Sequence, residues 1–554
     1  MKPRLRDLGA RLPRRTVALA VLGVALAGYY GLVEWGAPLP FYSTKYDPEM
    51  PYFMNSLALF KGVPYGYIDH PGTPVEVLGT MMLALTRPWT RSIGVLFIPY
   101  HLQNPRLFLA LGHGFLVLAS LVTLVVLAVR SVSDRSTKGL LASCGVAVCF
   151  FAAHPLSSFQ ALTWWSHNSF AFPVGTLLLF WLLFRLQKGG SVAAGTAFAV
   201  GGAAGLLAAV QLYFAAWGIG VSAAVGLYAW LRGEGRLASA GKAAASLVGT
   251  CLGFFVGFEP VLHRFRGFYL WVDRLLLRQG RYGSGPEGIT SPGLWIDNLE
   301  WLWNRAPWPF LATGLVLGLL FAAMRTNKGS PREDPAWWAM SIALLIQLTV
   351  LWATIGKHPG TTYLLGVAAV LPAVLSLALE SLLHSGGRGA AVAGAAGAAA
   401  LAAFAVGWAA SGAAHVSKVR QIALAEDVIA GAIRQRGEAL GVDRSQMTIL
   451  WGYGISSPCG ALRFGDLYTG QALIAEIDSV CGGEWFYNVW SGFIDRPNAY
   501  QPLTASEDWD ILIVPEAFRP ALVGRVGAIL DTGIESQGYG TILIVTPSER
   551  PAGQ

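Results

Sequence analysis

Residues 336–383 read AWWAMSIALLIQLTVLWATIGKHPGTTYLLGVAAVLPAVLSLALESLL. The apolar runs 336–356 and 361–383 are each close to the roughly 20 residues a helix needs to cross the hydrocarbon of a bilayer. Only Lys357, His358, Pro359 and Gly360 separate them, so the pair reads as two spans joined by a tight turn. Runs of similar character lie near residues 17–33, 106–130, 139–153, 170–186, 192–210, 213–231, 242–258, 309–325 and 389–411. Together they make about eleven spans. Within 192–231, Gln211-Leu212-Tyr213 marks either a turn or a kink.

Composition agrees. The 554 residues are 54% hydrophobic and 13% charged, and the mean hydropathy is +0.49. A soluble domain carries roughly twice that charge fraction. The 66 glycines suit close helix–helix contact and the 20 tryptophans suit interfacial belts. The net charge of +8 fits basic cytoplasmic loops and an anionic lipid head group. A nucleic-acid partner is excluded, because the basic residues are scattered among spans rather than gathered on one domain.

Charge also orients the spans. Lys2, Arg4, Arg6, Arg11, Arg14 and Arg15 hold the N-terminus in the cytoplasm, and residues 130–138, 185–191, 232–242, 325–334 and 384–388 form basic cytoplasmic loops. Residues 34–105, 154–169, 259–308 and 357–360 then lie outside, as does everything after about residue 412. The loop 259–308 breaks the bias with Arg264, Arg266, Arg274, Arg278, Arg281 and Arg305, and its basic residues call for a task. The basic leader and the small residues at 25–27 also allow a cleaved signal peptide, which leaves the next loop outside as well. Alanine-rich spans and a compact basic N-terminus fit a bacterial inner membrane. Residues 74–105, broken by Arg87, Pro88 and Arg91, read as helices lying in the interface plane or re-entrant against the bundle.

From residue 412 the character changes. A helical pattern covers 417–440 and 520–530, and strand-like runs occur at 447–453, 511–515 and 541–546. This predicts a small α/β layer. The segment 451–470 reads as a structured loop or a turn-rich connection. Cys459 and Cys481 stand in this region and pair as a disulfide if it is extracytoplasmic. The expected fold is therefore mainly α: a polytopic membrane helix bundle over 1–411, with a small C-terminal α/β domain over 412–554 outside the cytoplasm.

Polar residues with chemistry gather just after the first span, in YDPEMPYFMNSLALFKGVPYGYIDHPGTPVEVLG, residues 46–79. Ionisable groups at a membrane edge are costly and are usually kept for a task. Asp47 can accept a proton from a hydroxyl nucleophile. Asp47-Pro48 is equally a helix N-cap and first-turn pair, and the two roles are compatible. Asp69 and His70 form either a turn with Pro71-Gly72 or a second polar wall. Glu49, Asp69 and His70 also allow a divalent metal, although their spacing matches no ligand pattern. Lys357 and His358 suit a phosphate at head-group level, or Lys357 snorkels from a helix end. Arg278, Arg281 and Tyr282 lie in a Gly-rich basic segment that either closes like a lid over an anion or touches lipid phosphates.

The stretch 47–74 resembles the first extracytoplasmic loop of GT-C-type glycosyltransferases, the group that contains protein O-mannosyltransferases and the lipid A aminoarabinose transferase. Asp47 falls at the acidic motif, Tyr52 at the following Tyr, Gly62-Val63-Pro64-Tyr65 at the next step, and His70-Pro71-Gly72 at the last. KHPGTTYLLGVAAVLP, with Tyr363, resembles a late span of that group. Two departures stand out: the adjacent Asp-Glu pair is Asp47-Pro48-Glu49, and the second Pro of a Pro-Pro element is Gly72. The resemblance implies inverting transfer of a sugar from a polyprenyl-phosphate-linked donor to a lipid, glycan or protein acceptor, with Asp47 as general base. Lys357 would then face the leaving phosphate, with His358, Arg278 and Arg281 behind it. Glu49, Tyr52, Tyr65, Asp69, His70, Tyr282 and Tyr363 would line the substrate site. A transporter or lipid flippase is the competing reading. It predicts inverted repeats and polar groups near the bilayer centre, whereas here they collect at span ends.

Overall fold

The computed structural model describes residues 49–64, 72–133, 165–280, 283–288, 290–326, 330–384, 419–453, 457–489 and shorter stretches between 492 and 545, with scattered single positions besides. The chain divides into two compact units: 1–30, 68–75 and 113–412 make the first, and 31–67, 76–112 and 413–554 the second.

The first unit is helical. Among the described residues of the chain, seven helices are long and apolar enough to cross a membrane. Of the expected spans, those near 106–130, 170–186, 192–210, 213–231, 242–258, 309–325, 336–356 and 361–383 all form helices, while 17–33, 139–153 and 389–411, apart from Gly31 and Ala391, lie outside the described residues. Residues 211–214 form a true turn: helix Ala194–Val210 ends, a 3-10 turn Leu212–Phe214 follows, and helix Ala215–Leu231 packs back on the first. Residues 259–308 are mostly helical rather than a loop. They hold a 3-10 turn Glu259–Arg264 and the helices Phe265–Leu277 and Pro292–Arg305. The cause is legible in FRGFYLWVDRLLL, where apolar residues recur at helical spacing.

Helix Ala194–Val210 meets helix Arg236–Phe258 along a seam of glycines. A methyl on Gly201 would overlap the carbonyl oxygen of Ser246, and one on Gly205 that of Thr250. From the other side, Gly249 meets the Phe198 carbonyl and Gly253 the Gly202 carbonyl. Small residues let helices approach this closely, where lipid gives no hydrophobic drive for association. At one end of this unit, Lys242 Nζ donates to Ser191 Oγ at 2.7 Å, and Tyr228 OH donates to the Gly190 carbonyl at 3.1 Å. Two loops expected on the cytoplasmic side thus meet.

Among the described residues, the second unit is built on a seven-stranded sheet in the order β4-β3-β2-β1-β5-β7-β6. Its strands are β1 Ile449–Gly452, β2 Glu484–Asn488, β3 Phe493–Arg496, β4 Ala499–Pro502, β5 Ile511–Pro515, β6 Thr532–Ser536 and β7 Gly540–Val545. β1 runs parallel to β2 and β5, and the other pairs are antiparallel. In β5, Ile511 and Ile513 join one core, with Ala425, Ile429 and Ile433 of a helix at 419–440. Leu512 and Val514 join the opposite core. Strands covered on both faces read as continuous apolar runs rather than alternating ones. Most of 520–530 lies outside the described residues.

Parallel strands need a crossover. Between β1 and β2 it is a hairpin of two helices, Pro458–Thr469 and Ile474–Cys481, closed by the disulfide Cys459–Cys481. Segment 451–470 is therefore mainly a buried helix and not a turn-rich connection. Ser457 caps it by accepting from the Gly460 N–H at 3.1 Å, Pro458 stands at its first turn, and Gly470 ends it at φ 72°. Inside the hairpin, Asp466 accepts from Thr469 Oγ1 and from the Leu473 N–H. Burial pushes its carboxyl up to about 6 against those bonds and the charge of Arg463. A carboxyl titrating near 6 when folded and near 4 when unfolded keeps an extra proton in the fold between those values. Stability therefore falls as pH rises through that window, by about 3 kcal/mol in all. Asp466→Asn keeps the acceptor without the charge. Its melting temperature, relative to wild type in detergent, is expected to climb from pH 4.5 to pH 7. A difference that stays constant across that range rules this out.

Helix Thr73–Ser92 presents Val77, Met81, Leu85 and Trp89 exposed at every fourth position. An apolar stripe of this kind is what a helix lying on lipid offers.

Candidate functional site

In the first unit, Lys357 reaches the helix end that precedes Arg278. Helix Pro335–Lys357 starts at an Asp334 cap and stops because Pro359 and Gly360 follow. The last carbonyls of a helix lack partners within it. Here Ala353 O accepts from Trp295 Nε1 at 3.2 Å and Gly356 O from Asn298 Nδ2 at 2.8 Å, both on helix Pro292–Arg305. Lys357 is half-buried, and its Nζ donates to the Leu276 carbonyl at 2.5 Å. An ammonium has three donors, so two N–H groups remain for a ligand.

Leu276 precedes Arg278, which opens a folded turn. Arg278 pairs with Glu287 in an antiparallel bridge, Gln279 N donates to Pro286 O at 3.1 Å, and Gly280 N donates to Ser284 O at 2.9 Å. Gly283 and Gly285 take φ of 75° and 77°, which L side chains avoid. The structure therefore brings Lys357 to Leu276, 81 positions away in sequence and two residues before the Arg278 turn. His358 directly follows Lys357, and Tyr363 lies in the 3-10 turn Thr361–Tyr363 that starts the next helix.

Tyr363 is buried, with its ring centroid 5.5 Å from that of Tyr213. Tyr213 OH donates to Asn168 Oδ1 at 2.6 Å, and Asn168 Nδ2 donates to His167 Nε2 at 2.8 Å. Ser166 caps this helix and meets Ser169 Oγ at 3.0 Å. Sequence reasoning missed this polar layer. Its signal was SHNS at the head of an apolar run, where polar residues are expensive.

Gly72 N donates to Val210 O at 3.1 Å, and Gly72 takes φ 59°. Proline is fixed near −65°, so the departure from Pro-Pro at this position has a backbone cause.

In the second unit, Glu49 and Tyr52 lie on helix Glu49–Lys61, both buried. Glu49 sits in the first turn, where negative charge suits the helix dipole. Asn55 Nδ2 donates to Glu76 Oε1 at 2.6 Å, and Thr80 Oγ1 donates to Ser56 O at 3.0 Å, which ties this helix to Thr73–Ser92. Glu76 is fully buried and was also missed. A lone Glu between two valines was its sequence signal. Asp47, Tyr65, Asp69, His70, Arg281 and Tyr282 lie outside the described residues. Among the described residues no three His, Cys, Asp or Glu side chains cluster as metal ligands; the metal considered for Glu49, Asp69 and His70 needs two residues outside that set.

No protein-family model and no curated protein matches this sequence. Among solved structures the chain is similar to the crystal structure of ArnT from Cupriavidus metallidurans bound to undecaprenyl phosphate. Identity is 14%, the match covers 97% of this chain and 99% of that one, and the TM-score is 0.48.

Proposed function

We propose that this chain is an integral-membrane glycosyltransferase that moves a sugar from a polyprenyl-phosphate-linked donor to an acceptor outside the cytoplasm. The observation that carries the reading is Lys357 at the end of its helix, its ammonium held on the Leu276 carbonyl two residues before Arg278. A phosphate at head-group level is the ligand that an ammonium held there suits. The buried layer of His167, Asn168, Tyr213 and Tyr363 at helix starts supports a hydrophilic ligand such as a sugar ring. The Cys459–Cys481 disulfide supports an extracytoplasmic second unit, since disulfides persist in oxidising compartments.

In this reading Asp47 takes the proton of the acceptor hydroxyl as its oxygen attacks the anomeric carbon. The bond from that carbon to the phosphate oxygen breaks on the opposite face, with inversion. Polyprenyl phosphate leaves with the electron pair, so no strong general acid is needed. Charge grows on the phosphate, and Lys357, with Arg278, Arg281 and His358 behind it, stabilises it. Glu49, Tyr52, Tyr65, Asp69, His70, Tyr282 and Tyr363 are the proposed substrate-lining residues.

The test feeds membranes containing the full chain a labelled polyprenyl-phosphate sugar. Release of free polyprenyl phosphate is expected, and Lys357→Met should slow it by about 10²-fold. Movement of intact donor between leaflets without release would instead mean a flippase.

A further inference from the structure

We infer that the hairpin closed by Cys459–Cys481 is a positioning element of the transfer site. It seats the helix that begins two residues after Asp47. The inference rests on the reading of Asp47 as the base.

Helix Glu49–Lys61 is buried over ten consecutive residues, Glu49 to Ala58, and polar residues are among them. A helix covered all round is placed by its neighbours, not by one apolar face. One neighbour is the hairpin, which touches it at two levels. Gly465 packs on its first turns: a methyl there would stand 2.6 Å from Met54 Cγ, 2.9 Å from Met50 O and 3.0 Å from Met50 C. Met54 can bend away, but the Met50 backbone cannot. At the far end, Lys61 Nζ pairs with Glu476 Oε1 at 2.6 Å and donates to Ala472 O at 3.2 Å.

The hairpin is stiff. The disulfide joins the start of its first helix to the end of its second. Arg463 is buried, pairs with Asp478 at 2.8 Å, donates to the Glu484 carbonyl, and lies 3.9 Å over the Trp485 ring. Asp466 fixes the turn between the helices through Leu473 and Thr469. A cross-linked, internally bonded hairpin pressed on the Met50 backbone fixes the first turn of helix Glu49–Lys61. Reacting groups need placement to within about an ångström, and a 1 Å error can cost about 10²-fold in rate.

The experiment uses the full chain in nanodiscs with Gly465→Ala, Gly465→Val and the pair Cys459→Ser/Cys481→Ser. Gly431→Ala, whose methyl meets nothing within 4 Å, is the control. Turnover of the labelled polyprenyl-phosphate sugar and amide exchange over residues 52–61 are both followed. Gly465→Ala is expected to lower kcat a few-fold and Gly465→Val by about 10²-fold, with the KM for donor unchanged. Exchange over 52–61 should quicken in step, while the β5 amides 511–515 stay protected and so report an intact sheet. Loss of the disulfide, by mutation or by dithiothreitol, should act in the same direction. Unchanged kcat with unchanged exchange overturns the inference. So does a raised KM at constant kcat, which would make the hairpin a substrate-binding part. If the wild type consumes no polyprenyl donor, the functional reading fails, and the exchange measurement still decides whether the hairpin seats the helix.

Discussion

Asp47→Asn is expected to lower transfer by about 10²–10⁴-fold, the usual contribution of a positioned general base. Asparagine is the informative replacement because Asp47-Pro48 also reads in the sequence as a helix capping pair. Asn caps a helix about as well as Asp, so a residue that only capped would leave activity near wild type. The amide oxygen still accepts a hydrogen bond but is far too weak a base to take the proton. Asp47→Ala loses both roles and should add about 1 kcal/mol of lost stability to the same catalytic defect. The two variants thus separate positioning from proton transfer. The pH profile gives a second check. Wild-type turnover should fall on the acid side as the carboxylate is protonated, and Asp47→Asn should lose that limb. The measurement is release of polyprenyl phosphate from a labelled donor, with amide exchange over 52–61 confirming the helix. Activity within tenfold of wild type in a folded Asp47→Asn protein removes Asp47 as the base.

The sequence made the apolar helices plain because each run of span length has one economical fate in lipid, a helix with every backbone bond made internally. β5 was equally legible, since ILIVP is buried on both faces and can only be a central strand. Cys459 and Cys481 stood apart from the apolar runs, which allowed a pairing only if their region is extracytoplasmic, and the fold joins them. The helix at Pro458–Thr469 was hidden by its three glycine and proline residues, each of which has a local duty: Pro458 opens the helix, while Gly460 packs on Trp451 and Gly465 on Met50. Such residues usually signal turns. The site was less legible than the fold. Lys357 and Arg278 were named from their chemistry, but the contact between Lys357 and Leu276 depends on tertiary packing that no local pattern encodes. Glu76 and the layer of His167, Asn168 and Tyr213 carry no motif. Their only signal was a polar group standing in an apolar run.

Gly205→Leu is expected to abolish accumulation of folded chain. In the seam between helices Ala194–Val210 and Arg236–Phe258, the missing side chains at Gly201, Gly205, Gly249 and Gly253 each leave room for a backbone carbonyl of the other helix. Overpacking against a side chain costs about 1–3 kcal/mol, because rotamers can adjust. A carbonyl at the middle of a helix has no rotamer to change. A side chain at Gly205 therefore drives the helices apart over the whole seam and forfeits the close contacts at the other three glycines. In lipid no hydrophobic drive makes up the loss, since the separated faces meet acyl chains of equal polarity. The expected penalty exceeds about 3 kcal/mol, a large share of a typical folding free energy. Gly314 and Gly318 supply the contrast. They lie in helix Trp308–Thr326, and a methyl at either meets nothing within 4 Å. Alanine there should be neutral, or stabilising by up to about 1 kcal/mol through helix propensity. The readout is the fraction of detergent-extracted chain that elutes as a single species, together with its melting temperature. If Gly205→Leu matches wild type in both while Gly314→Ala does not, the seam is not what holds these helices together.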